Sequence, residues 1–387
     1  MDKETRVYNF DDIRPLDDSE VSAAIETLIE SEGFRHALRY IMPALDWEAF
    51  AGKMRTCRTK DEFKSTLSYA AVEIVAKKST FSLTISGRSR FPEKPCTVIS
   101  NHRDIVMDVA FLNLLLYDIG KGATQVAIGD NLLIYPWIDL IVRLNNSFIV
   151  KRCVPVRQML KESEKLSAYI HHTVRETKES VWIAQREGRA KDSNDTTQNS
   201  VLKMLNMGGD GDILTNLMSL NIVPVAISYE IDPCDYLKAQ EFQMKRDHPN
   251  FAKSKRDDLL SMEVGILEDK GRVHFTIASP INPALKKLDP KMDKNELFSA
   301  VAAAIDSEIY AHYRFYPRNY VAYDMLYKTS RFGANYGVHD KEQFCEYLQK
   351  QIDRIDITNK DEDFLRTKML EMYSNPLKNH LANMTAR

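Results

Sequence analysis

The chain has 387 residues, 44% hydrophobic and 28% charged, a balance that excludes a disordered or fibrous protein and leaves material for a large core. Lys and Arg number 53 against 55 Asp and Glu, a formal charge of -2, so no global field marks a nucleic-acid binder and any anion site has to be local. Cys57, Cys96, Cys153, Cys234 and Cys345 form an odd set without paired spacing, which argues against a disulfide framework and points to a reducing cytoplasm.

The opening MDKETRVYNFDD lacks the basic, apolar, small-residue order of a secretory signal, so no export is expected. Between Glu20 and Met42, Val21, Ile25, Leu28, Ile29, Leu38 and Ile41 recur at helical spacing, and after Pro43 a second helical stretch runs toward Val75. From Phe81 the texture changes to short β-branched runs between helical segments: FSLTISG, CTVIS, QVAIG, SFIV, SVWIAQ, IVPVAISY and RVHFTIAS. Strands alternating with helices imply an α/β sheet. The most apolar stretch, Ile105 to Tyr117, is interrupted by Asp108 and Asn113 and falls short of the ~20 apolar residues that span a bilayer.

Met159, Leu160, Ser163, Leu166, Ile170 and Val174 share one face of a helix predicted from Val156 to Val174. The adjacent His171 and His172 point to different sides of it and are expected at the surface rather than as metal ligands. Beyond Pro283, Leu297, Phe298, Val301, Ile305 and Ile309 are in helical phase, followed by an aromatic-rich stretch from Tyr310 to Tyr327 and a polar C-terminus. At roughly 100 to 200 residues per domain, the length fits one central α/β domain with helical additions at both ends. The expected division is a helical region 1–78, an α/β domain 79–290 and a helical region 291–387.

Asn101-His102-Arg103-Asp104-Ile105-Val106-Met107-Asp108 leaves the carboxyl end of the strand CTVIS, where α/β folds carry their sites. An imidazole there, with a carboxylate a turn away to fix its tautomer, can act as a general base. Two further strand ends deliver cations: Phe148-Ile149-Val150-Lys151-Arg152, and Gln185-Arg186-Glu187-Gly188-Arg189-Ala190-Lys191 around a glycine turn. On one rim, these would bind phosphate through charge-assisted hydrogen bonds. A fourth piece, IVPVAISYE from Ile222 to Glu230, reads by itself as a buried strand.

In this order and spacing the four pieces resemble the glycerol-3-phosphate and 1-acylglycerol-3-phosphate acyltransferase superfamily, over roughly Phe81 to Ile281. NHRDIVMD is similar to the family's Asn-His, four residues, Asp motif with one residue more. FIVKR is similar to FFIRR, QREGRA to Phe-Pro-Glu-Gly-Thr-Arg, and IVPVAISYE to IVPIYIGYE. The resemblance implies a central mixed sheet flanked by helices. It implies that His102, oriented by Asp108, deprotonates an acceptor hydroxyl that attacks an acyl thioester of acyl carrier protein or coenzyme A. It also implies that Arg152 and Arg189, helped by Lys151 and Lys191, hold the acceptor's phosphate, with Glu187 and Gly188 shaping the turn. No cofactor or metal is implied, and the setting would be the cytoplasmic face of a membrane, met peripherally through the N-terminal helices or the Tyr310 to Tyr327 stretch.

Two departures bear on these roles. The extra residue would rotate Asp108 by about 100° if the whole segment were helical. The loop must absorb it, with Asp108 favoured as the orienting group, or Asp104 takes that role. In the third motif Gln185 and Arg186 replace Phe-Pro, Arg189 stands at the Thr and Ala190 at the Arg. That leaves room for a lysophospholipid or acylated amino acid acceptor, or for a non-catalytic lipid-binding protein of the same fold. His102-Arg103-Asp104 also resembles a protein-kinase catalytic loop, but Val109 stands where that loop needs its metal-binding Asn. Neither HExxH nor GxSxG is present for a metal or serine hydrolase.

Overall fold

The computed structural model describes residues 8–386, so most of the opening segment read above for an export signal lies outside it. Each β-branched run forms a strand: β1 (Ser82–Ser86), β2 (Thr97–Ser100), β3 (Gln125–Gly129), β4 (Ser147–Val150), β5 (Val181–Ala184), β6 (Val223–Tyr229) and β7 (Arg272–Ile277). They make one mixed sheet in the order β1-β7-β6-β2-β5-β3-β4. β6, β2, β5, β3 and β4 run parallel, while β7 is antiparallel to β6 and carries β1 parallel to itself. The carboxyl ends of β2, β4 and β5 therefore share one rim, the edge at which His102, Arg152 and Arg189 leave the sheet.

Alternation along the strands divides the core between two layers of helices. Val223, Val225 and Ile227 of β6, with Val98 of β2 and Trp182 of β5, face the helices Tyr69–Ser79 and Met107–Asp118. Ala226, Ile99, Val181 and Ile183 face the helices Val156–His172, Asn199–Met207, Ile213–Ser219 and Lys294–Ala311. Burial on both sides is why these strands read as unbroken apolar runs.

The N-terminal helices Asp18–Glu30, Glu32–Ile41 and Trp47–Thr56 enclose a cluster of their own around Ile25, Leu28, Phe34 and Met54, against Leu144 of the helix Pro136–Leu144. The stretch expected to be continuous from Glu20 to Met42 breaks at Ser31, whose hydroxyl accepts from Phe34 N (3.3 Å) and caps the second helix. At the other end, Asp235–Asp247, Pro317–Leu326, Val338–Asp353 and Glu362–Ala386 close around Phe344, Leu348 and Met369.

Two expectations need correction. The face predicted for Val156 to Val174 is buried only from Leu166 onward; Met159 and Leu160 are 49% and 61% exposed, because the first turns project beyond the sheet rim. His171 is buried rather than at the surface, its Nε2 meeting Leu205 O at 2.9 Å. The aromatic stretch also packs inward, with Tyr313, Tyr316, Val321 and Ala322 buried. Among the described residues no helix is long and apolar enough to cross a membrane.

Candidate active site

Asn101, fully buried at the end of β2, stitches the following loop to β6: Nδ2 donates to Ile227 O (2.9 Å) and Oδ1 accepts from Ile227 N (2.8 Å). Residues 101–106 stay non-helical, and the next helix begins only at Met107. The loop thus absorbs the extra residue of the motif. Asp108, in the first turn, brings Oδ2 to 2.8 Å from His102 Nδ1, and the same oxygen accepts from Arg103 N (2.6 Å) and Asp104 N (3.0 Å). Asp108 Oδ2 already accepts from two backbone amides, so it faces the ring as an acceptor, which places the proton on His102 Nδ1 and leaves Nε2 with its lone pair.

Asp104 does different work. Its Oδ1 accepts from Val106 N (2.9 Å) and Met107 N (2.8 Å), which caps the helix. Its Oδ2 is buried against Gly265, where a Cβ would sit 2.1 Å away, so only glycine lets the helix Lys255–Leu267 approach this loop. Burial, with the Asp108 charge beside it, raises the Asp104 carboxyl above its ordinary range.

The Trp182 ring meets His102 edge-on at 5.6 Å between centroids, and its Nε1 donates to Ser100 Oγ at 2.9 Å, so the wall beside the imidazole is itself fixed. Behind the loop, Arg103 turns away from His102 and pairs with buried Asp195 (2.7 Å), to which Tyr313 also donates (3.2 Å). Lys238 donates to Arg103 O at 3.0 Å and pairs with Asp232. The loop after β2 is thereby tied to the segment after β5 and to the C-terminal helices.

His102 lines a cavity of about 1070 Å³ whose walls also include Lys151, Arg152, Glu187, Gly188, Arg189 and Lys191. These sequence-predicted residues are brought together there, while Asp108 and Asp104 stand behind the wall. Their situations differ. Asp130 accepts from Arg152 N (2.9 Å) and Cys153 N (3.2 Å) and holds the turn after β4; the Arg152 guanidinium has no partner among the described residues. Lys151 leans toward Asp12, at 4.0 Å. Gly188 adopts φ +66°, the left-handed turn before Arg189, whose guanidinium is buried beside Cys234 and Asp104 with Nη1 lacking a hydrogen-bond partner. Glu187 is exposed and Lys191 pairs with Glu241.

Sequence reading passed over Trp182, Arg186, Lys245 and Lys253, all of which line the same cavity. Arg186 was visible as the residue that replaces the motif's Pro. Lys245 and Lys253 lie far along the chain and carry no motif. The far end of the cavity is apolar, walled by Leu38, Met42, Phe63 and Val72 of the N-terminal helices facing Val109 and Ala110. One lumen thus joins an apolar barrel to a cationic mouth, with the imidazole on its wall. Among the described residues no group of three His, Cys, Asp or Glu could hold a metal ion.

The family model described as Acyltransferase matches residues 82–228. A search of curated proteins returns no match. Among solved structures, the crystal structure of the 1-acyl-sn-glycerophosphate (LPA) acyltransferase, PlsC, from Thermotoga maritima aligns at 12% identity over 73% of this chain and 93% of that one. Its TM-score of 0.34 is too low for any inference to rest on it.

Proposed function

We propose, from the match of residues 82–228 to the family model described as Acyltransferase, that this chain moves a fatty acyl group from a phosphopantetheine thioester, on coenzyme A or acyl carrier protein, to a hydroxyl of a phosphate-bearing glycerolipid precursor. The observation that carries this reading is the His102–Asp108 pair at 2.8 Å on the wall of a cavity that is cationic at one end and apolar at the other.

His102 Nε2 takes the proton of the acceptor hydroxyl as its oxygen attacks the thioester carbonyl carbon. The Asp108 charge stabilises the imidazolium that forms. As the tetrahedral species collapses, the C–S bond breaks and the departing thiolate recovers the proton from Nε2, so no acyl-enzyme is needed. Arg152, Arg186 and Arg189 hold the acceptor's phosphate, with Lys151 and the Glu187–Gly188 turn shaping the approach, and the acyl chain lies among the apolar side chains at the far end.

Such substrates partition into bilayers, and a peripheral position on the cytoplasmic face of a membrane follows from this chemistry. Residues 151–161 supply the surface best suited to it. Val156, Met159 and Leu160 are exposed there among Lys151, Arg152, Arg157 and Lys161, with no acidic residue. The N-terminal helices and the Tyr310 to Tyr327 stretch, considered above for this role, spend their apolar faces on the interior.

The test is acyl transfer by the purified chain with both thioester donors and a panel of acceptors, including lysophospholipids and acylated amino acids, read by mass spectrometry of products. His102→Ala is expected to lower the rate by roughly 10²–10⁴-fold. Equal inactivity of wild type and variant with every pair would instead favour a non-catalytic lipid-binding protein, the reading that the altered third motif keeps open.

A further inference from the structure

The cations at the cavity mouth fall into two groups. Lys151, Arg152, Arg186 and Arg189 follow the ends of β4 and β5; among the described residues the Arg152 and Arg186 guanidiniums make no hydrogen bond or ion pair, though Arg186 lies within electrostatic reach of Asp195. Lys191, Lys245 and Lys253 come from three other places: the segment after β5, the helix Asp235–Asp247, and the turn before the helix Lys255–Leu267. The last two lie beyond the residues matched by the family model. All three ammonium groups line the cavity and gather around Glu241, which is 5% exposed and stands behind the wall. Lys191 is bonded to it, Lys245 lies at 2.9 Å and Lys253 at 3.9 Å, with Asp258 at 2.9 Å from Lys253.

This grouping is electrostatically incomplete. Burial works to raise the Glu241 carboxyl, but Lys191 and Lys245 outweigh it and hold the group ionised below the ordinary carboxylate range. Burial brings the Lys191 ammonium down to about 8 even with Glu241 in contact. Three like charges around two carboxylates leave one positive charge over, and on the same wall Lys151, Arg152, Arg186 and Arg189 outnumber Glu187 and Asp192, so the surplus is relieved by an anion. All three lysine side chains are more open than that of His102, at 53% exposed for Lys245 and 23% for Lys191 and Lys253 against 14% for His102.

We propose that Lys191, Lys245 and Lys253, held in place by Glu241, form a second anion subsite that receives the phosphate of the donor's phosphopantetheine arm. This rests on the acyl-transfer reading, in which both reactants carry phosphate. A short acceptor, whose hydroxyl must reach His102, keeps its phosphate beside the strand ends. A pantetheine arm is long, so a thioester placed at His102 leaves its phosphate at the outer lip. Coenzyme A and a carrier protein present the same group, and the subsite would serve either.

The experiment compares the full chain with Lys245→Ala/Lys253→Ala, measuring calorimetric binding of 4′-phosphopantetheine, coenzyme A and pantetheine, with melting temperature as the check on folding. The double variant is expected to bind both phosphate-bearing ligands at least tenfold more weakly and pantetheine unchanged. Kinetics with acyl-coenzyme A, acyl carrier protein and acyl-pantetheine then tell the sources apart, since KM should rise for the donor in use and stay level for acyl-pantetheine. Unchanged binding of 4′-phosphopantetheine, an equal loss for pantetheine, or no binding by wild type would each overturn the subsite. If phosphate-selective binding is lost in the variant while no donor supports transfer in wild type, the subsite stands and the reaction assigned above falls.

Discussion

A single carboxylate oxygen organises the loop after β2. Asp108 Oδ2 holds the His102 ring and two backbone amides together, whereas Asp104 spends its bonded oxygen on the helix cap. Replacing each with asparagine separates the two roles. Asp108→Asn retains an oxygen for the same three donors but removes the charge facing the imidazolium, so kcat is expected to fall by roughly 100-fold or more. Asp104→Asn retains the cap, and kcat should stay within about threefold of wild type. Steady-state kinetics with circular dichroism melts would decide it, and a loss in Asp104→Asn as deep as in Asp108→Asn would reject the assignment. Both aspartates were legible in the sequence as candidates. Which of them orients His102 was not, because that depends on where helical geometry begins after His102, and Asp104 itself sets that point by capping at Met107.

At the scale of elements, the seven strands were legible because each is a short β-branched run, a purely local signature, and β2 and β6 are unbroken because both their faces are buried. Strand order and the reversal of β7 against β6 were not, since pairing joins residues such as Val225 and Ile277 that are far apart in the chain. The helix Val156–His172 shows a further limit of periodicity. Its apolar stripe continues past the sheet, so pattern alone assigned Met159 and Leu160 to a core that ends near Leu166. That projecting end has a testable use. Cations near an anionic leaflet contribute on the order of 1 kcal/mol each, and inserted apolar side chains add to this. Val156→Asp/Leu160→Asp is expected to lower sedimentation with anionic phospholipid vesicles at least tenfold, while soluble short-chain substrates turn over as before. Undiminished sedimentation would move the docking surface elsewhere.

Across the whole molecule, the cavity joins regions that look separate along the chain. Its cationic mouth is built from strand ends and from Lys245 and Lys253, while its apolar barrel is walled by N-terminal helices that lie outside the family match. The rim of His102, Arg152 and Arg189 could be anticipated from motifs at strand ends. The barrel could not, because a helix that packs on its own neighbours and one that also walls a lumen show the same stripe of apolar residues. If acyl chains occupy that barrel, the N-terminal helices set the chain length accepted. Ala71 lines it without filling it, and Ala71→Phe would place a ring in the space. Each methylene denied burial forfeits ~0.8 kcal/mol, so excluding three from the lumen costs the longest chains ~2.4 kcal/mol, roughly 50-fold in kcat/KM. Shorter chains, which do not reach the ring, should keep their kcat/KM, and the optimum should move to shorter donors with the melting temperature little changed. A uniform loss at every chain length would mean that the ring disturbs the site itself, and an unchanged profile would mean that the acyl chain lies outside this barrel.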